Sequence, residues 1–125
     1  MNNFLKNSRK ILTTSQNYSN VDQIVIYAQV NGDGSNFWCS DENIEFLYQS
    51  TGKYCLKLKE TYDKLVINLT PQNNNYSSCN LLNYFYDVET KTINIFSRYI
   101  SSTTNKLIDC NFDISIYACK FEKDA

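Results

Sequence analysis

Residues 47–58 read Leu-Tyr-Gln-Ser-Thr-Gly-Lys-Tyr-Cys-Leu-Lys-Leu: a turn at Ser50, Thr51 and Gly52, followed by a stretch in which apolar and polar side chains alternate. Tyr54, Leu56 and Leu58 fall on one face, and Lys53, Lys57 and Lys59 on the other. A period of two is the signature of a pleated strand with one dry side and one wet side, because successive side chains point to opposite faces. Gly52 suits the turn, since a residue without Cβ adopts positive φ without steric cost.

The same alternation recurs along the chain. Further strands are predicted over 24–30, 37–40, 44–48, 65–69, 82–88, 92–96 and 110–117, with the one at 53–58 making eight. Polar clusters at 41–43, 60–63, 71–75, 89–91 and 101–105 separate them and have the composition of loops. In 24–30, Ile24, Ile26, Ala28 and Val30 share one face, while Val25 and Tyr27 take the other, which describes a strand covered on both sides. Asn31-Gly32-Asp33-Gly34 then closes it with the strongest turn signal in the chain. Residues 82–88 are also apolar on both faces, with Tyr84 and Tyr86 on one and Phe85 on the other. Many short strands without a sustained helical period predict an all-β sandwich. Eight strands fit a jelly roll, and a Greek-key sandwich of another topology would give the same pattern.

A chain of 125 residues with ten Tyr and seven Phe can bury one sizeable core, so a single head domain is expected over residues 22–125. Residues 1–21 differ from it. They hold Lys6, Arg9 and Lys10 and no acid, a formal charge of +3, against 13 acidic and 9 basic groups in the remainder, a formal −4. With Phe4, Leu5, Ile11 and Leu12 beside the basic residues, this segment reads as a docking arm suited to an acidic, partly apolar groove of a partner protein.

The N-terminal residues lack the apolar run of a secretory signal, and no stretch approaches the ~20 apolar residues of a membrane span. The five cysteines, Cys39, Cys55, Cys79, Cys110 and Cys119, are odd in number and contain no Cys-x-x-Cys pair. In one strand, Cys110 and Cys119 would stand about 30 Å apart, far beyond disulfide reach. All five are therefore read as reduced thiols packing as small hydrophobes.

The catalytic inventory is poor. The chain has no His, the commonest general base for a Ser or Cys nucleophile. Asp41 with Glu42, or Asp109 with Asp113, could be imagined as a glycosidase pair, but carboxylates on loops are common and a solvated surface is the plainer reading. Asn31-Gly32-Asp33-Gly34 lacks the spacing and terminal Glu of a calcium loop. No catalytic residue, cofactor or metal site is expected. A formal net charge of −1, without a basic stripe among the aromatic residues, gives no reason to expect nucleic acid.

Taken together, Ala28–Gly34, the 47–58 unit and 112–117, Phe-Asp-Ile-Ser-Ile-Tyr, resemble a β-sandwich module of bacteriophage fibre and appendage proteins. That module is similar to the trimeric jelly roll of the complement globular head and tumour-necrosis-factor group. The resemblance covers roughly residues 22–119. It implies a homotrimeric, non-enzymatic virion structural protein, assembled in the host cytoplasm. The role would be a head fibre, capsid decoration or small tail-fibre or tail-appendage component, docked on other virion proteins through the arm. Tyr27, Tyr84, Phe85, Tyr86 and Tyr117 would then line the trimer interface, since aromatic strands with two apolar faces need a cover. Host attachment through a carbohydrate-binding module at a fibre tip is the alternative, and a glycan hydrolase a distant third.

Overall fold

The alternation becomes two antiparallel sheets packed face to face. A computed structural model describes residues 18–72 and 79–123. Among these there are nine strands and no helix: β1 (Tyr18–Val30), β2 (Phe37–Cys39), β3 (Glu45–Ser50), β4 (Lys53–Lys57), β5 (Lys64–Pro71), β6 (Leu81–Asp87), β7 (Thr92–Ile100), β8 (Asn105–Leu107) and β9 (Phe112–Lys123). One sheet has the order β2-β1-β9-β5, and the other has β3-β4-β7-β6 with β8 added to the far end of β7.

Most strand ends shift from the sequence reading, β9 running on to Lys123 for one, and in three places a partner strand overrides weak local pattern. β1 starts at Tyr18, so residues 18–21, expected in the arm, pair with the end of β9 from Tyr18 opposite Lys123 to Val21 opposite Phe121. The arm residues Phe4, Leu5, Lys6, Arg9, Lys10, Ile11 and Leu12 lie outside the described residues. β7 continues to Ile100 instead of stopping at 96, because Leu81 of β6 and Leu107 of β8 both pair with Arg98. β8 itself falls beside a segment read as loop. At three residues it is too short to show a period.

Register sorts the core. On the inner side of the β1/β9 sheet lie Ile26, Ala28 and Val30, then Phe112, Ile114, Ile116 and Ala118, with Ile67 from β5. Facing them, the β4/β7 sheet supplies Tyr54, Leu56, Ile93 and Ile95. Leu58, just past β4, completes the set with Tyr54 and Leu56, and all three are buried while Lys57 and Lys59 are exposed. The face assignment of the 53–59 segment thus holds.

Tyr54 joins the layers. Its ring is fully buried, stacked 6.3 Å from Phe46 and edge-on to Phe112 of the opposite sheet at 5.0 Å, with Tyr48 at 5.6 Å. Its hydroxyl donates to the Gly32 carbonyl at 2.8 Å and accepts from the Cys110 N–H at 3.3 Å. Around this ring the chain closes tightly. A Cβ on Gly32 would meet the Cys110 backbone at 2.5–2.8 Å, and Gly52, at φ 70°, lies equally close to the Ser97 carbonyl. The Gly52 N–H donates to Asp109 Oδ1 at 2.9 Å, and the Tyr48 hydroxyl donates to the same carboxylate at 3.0 Å.

Tyr54→Phe is expected to lower the unfolding free energy by about 1–3 kcal/mol, because the Gly32 carbonyl and Cys110 N–H would stay buried without their partner. Urea denaturation at neutral pH measures it. Gly32→Ala should cost a similar ~1–3 kcal/mol through overpacking against backbone that cannot yield as a side chain would.

A pH signature follows from the same phenol. Burial pushes the Tyr54 pKa above its ordinary 10.0, the negative charges of Asp109 and ionised Tyr48 add to the rise, and the Cys110 N–H opposes it. A folded pKa above the unfolded one gives stability that is fully present below about pH 10 and lost as pH rises beyond it. Between about pH 9 and about pH 11 the unaltered chain should lose urea stability more steeply than Tyr54→Phe, which lacks the titrating group. Equal slopes would place the alkaline sensitivity elsewhere.

Candidate functional site

Three of the four acids considered for catalysis, Asp109, Asp113 and Asp41, are engaged in local structure. Asp109 accepts hydrogen bonds from Tyr48 and Gly52, as described above. Asp113 faces the other way, on the outer side of the β1/β9 sheet, where it accepts from Gln72 Nε2 at 2.6 Å. Asp41 builds a turn, its Oδ1 accepting from the Asn43 N–H at 2.9 Å. Asn31-Gly32-Asp33-Gly34 is a turn too, with the Gly34 N–H bonded to the Asn31 carbonyl at 2.9 Å. Asp33 Oδ1 accepts from the Ser35 N–H at 2.9 Å, and its pKa is lowered, first by the Ser35 hydroxyl and then by that N–H. Among the described residues no cluster of three or more metal-ligating side chains occurs. An open groove beside β4 is lined by Glu42, Glu45 and Glu89 and by Lys57, Lys59 and Lys91, so its formal charges cancel.

The outer faces of the two sheets carry the unexplained surface. On the β1/β9 sheet, register aligns Val25, Tyr117 and Val66 in one row across three strands. In the next row Tyr27 stands beside Ser115 and Asn68, and beyond it Trp38 pairs with Gln29, followed by Asp113 and Thr70. Tyr27 is 50% exposed, Trp38 55% and Val66 57%. Exposed apolar side chains at neighbouring positions of one sheet differ from the scattered ones normal on any protein surface.

The β4/β7 sheet has a second such face. Leu47, Cys55, Asn94 and Phe85 form one row, and Lys53, Phe96 and Asn83 the next. Leu47 is 58% exposed and Phe85 61%. The two patches lie on opposite sides of the sandwich, because Phe85 points away from the core on one sheet and Tyr27 and Tyr117 point away from it on the other.

Of the residues expected at a trimer interface, Tyr27 and Phe85 are exposed on outer faces, and Tyr117 is half-buried in its row. Tyr84 belongs to an inner-facing row with Ile95 and Tyr54, yet it remains exposed because β6 is the edge strand. Tyr86, half-buried, turns inward against the core, and its hydroxyl is buried without a hydrogen-bond partner. Trp38, Val66, Leu47 and Leu81 were missed as surface residues. Strand alternation would have found Val66, which opposes Leu65 and Ile67, and Leu47, which opposes Phe46 and Tyr48.

No family model, curated protein or solved structure matches this chain.

Proposed function

We propose that the chain is a non-enzymatic assembly module, a trimeric structural sandwich whose setting is a bacteriophage virion. It would serve there as a head fibre, capsid decoration or small tail appendage. The observation that carries the assembly reading is the pair of apolar outer faces on opposite sides of the sandwich. A twofold dimer repeats one patch against itself and leaves the other bare. Head-to-tail contact, one patch of each copy against the second patch of the next, buries both; it closes into a ring only where successive copies are rotated, and the count of three rests on the resemblance. The phage setting rests on the resemblance of the turn-and-strand units.

Strand order supports the finer jelly-roll reading. First and last long strands, β1 and β9, pair, and the chain alternates between sheets through β4, β5 and β6. From β6 it returns directly to β7 through a tight turn in which Lys91 adopts φ 58°. The winding is therefore shorter than an eight-strand roll with a further pair between those strands.

Light scattering on the purified protein is expected to give three times the 14.6 kDa chain mass. Tyr27→Lys combined with Val66→Lys should yield monomers with an unchanged circular dichroism spectrum. A stable monomer of the unaltered chain at micromolar concentration, melting cooperatively, overturns the assembly reading.

The arm completes the proposal, since its basic and apolar side chains suit an acidic groove on another virion protein. Deleting residues 1–17 should leave the trimer intact and abolish its attachment to particles. Full decoration by the truncated protein would move the anchor into the head.

One observation favours host-glycan binding as the second reading: Trp38 and Tyr27 stand exposed beside Gln29, Asn68 and Asp113, a mixture of rings and hydrogen-bonding groups that suits sugars. Quenching of Trp38 fluorescence by an oligosaccharide mixture, together with a monomeric state, would select it.

A further inference from the structure

The loop network around Tyr54 brings two thiols together. Cys79 and Cys110 are both buried, and their Sγ atoms lie 2.6 Å apart. Both thiols are free in this structure, as are Cys39, Cys55 and Cys119. Nothing in the spacing of the cysteines singles out this pair, which is separated by 31 positions.

The backbone on each side of the contact is held in place. Next to Cys79, the Asn80 N–H donates to the Arg98 carbonyl at 3.0 Å. The Asn80 side chain bonds Ile100 twice, donating to its carbonyl at 2.6 Å and accepting from its N–H at 2.9 Å. On the other side, the Cys110 N–H is bonded to Tyr54, the Cys110 backbone lies against Gly32, and the Gly32 N–H donates to the side chain of Asn111. The two sulfurs therefore meet because two fixed segments bring them there. None of the other three has a cysteine opposite it: Cys39 pairs with Ala28, Cys55 with Leu47 and Asn94, and Cys119 with Gln23 and Lys64.

We propose that Cys79 and Cys110 are an intramolecular disulfide site, closed by exchange with a small disulfide oxidant. Cys79, 8% exposed against 0% for Cys110, is the entry point. Its thiolate attacks one sulfur of the oxidant, the oxidant's S–S bond breaks, and one small thiolate leaves. The Cys110 thiolate then attacks the Cys79 sulfur of the mixed disulfide and expels the second small thiolate. The two protein thiol protons pass to the released thiolates. The cysteine sulfurs together lose two electrons, and the oxidant gains them as two thiols. Burial first, and then the neighbouring Cys79 thiol, push the Cys110 thiol up to about 12 while both are reduced, with the Ser97 hydroxyl as a smaller offset, so the mixed disulfide at Cys79 removes part of what holds Cys110 protonated.

The bond would tie the entry of β6 in one sheet to the entry of β9 in the other, across the end of the sandwich where Tyr54 already joins them. Closing such a loop restricts the unfolded chain more than the folded one.

The experiment uses the full chain, purified under reducing conditions, desalted and incubated with oxidised glutathione. Thiol counting after denaturation should show two of the five thiols lost, with intact mass lower by two hydrogen atoms. Peptide mapping should join Cys79 to Cys110, and the thermal midpoint should rise by roughly 5–15 °C. Cys39→Ser, Cys55→Ser and Cys119→Ser combined should retain the full response, while Cys79→Ala should abolish it with its own fold intact by circular dichroism. Five thiols remaining after oxidation, or a crosslink between any other pair, overturns the assignment. A lasting glutathione adduct on Cys79 without closure does the same.

Discussion

The sandwich depends on one buried tyrosine. Two sheets facing each other can slide or splay unless something crosses the gap with direction as well as bulk, and Tyr54 supplies both. Its ring fills the space between Phe46 on its own sheet and Phe112 on the other, and its hydroxyl binds two loops of that opposite sheet, the β1–β2 turn and the entry to β9. An apolar ring of the same size would pack but would leave the Gly32 carbonyl and Cys110 N–H without a partner. Unpaired backbone groups in a dry interior cost more than a neutral hydrogen bond gains.

That requirement consumes the polar groups at one end of the molecule. Asp109, Asn111, Gly32 and Gly52 are all committed to holding the loop before β9 against the β1–β2 and β3–β4 turns. The distinctive surface lies on the flat outer faces, where Val25, Tyr27, Trp38 and Val66 on one side and Leu47, Leu81 and Phe85 on the other stay accessible. Side chains on a sheet are spaced by the pleat and the ladder, so Val25, Tyr27, Tyr117 and Val66 on three adjacent strands adjoin, whereas Leu47 and Phe85 stand on the two edge strands of their sheet with Cys55 and Asn94 between them.

Legibility followed the length of each pattern. The 53–59 segment alternates over several residues, and its buried side is readable as written. β8 is not, because a three-residue strand cannot display a period, and the polar composition of the first residues of β1 conceals a pairing that β9 supplies. Tyr86 shows a different limit. Alternation placed it correctly on the same face as Tyr84, but could not decide which face of β6 looks into the core.

The amino-acid sequence by itself determined that this chain makes short strands with one apolar side, that Gly-containing turns separate the early ones, and that its formal positive charge concentrates at the N-terminus. These are local properties, set by the order of neighbouring side chains and by backbone sterics. Tertiary structure alone decided that Tyr54 reaches Gly32, that Cys79 touches Cys110, and that two exposed apolar faces lie back to back. Each of these needs residues tens of positions apart to meet, and such a meeting depends on the order in which strands join a sheet. Periodicity within one strand carries no information about that order.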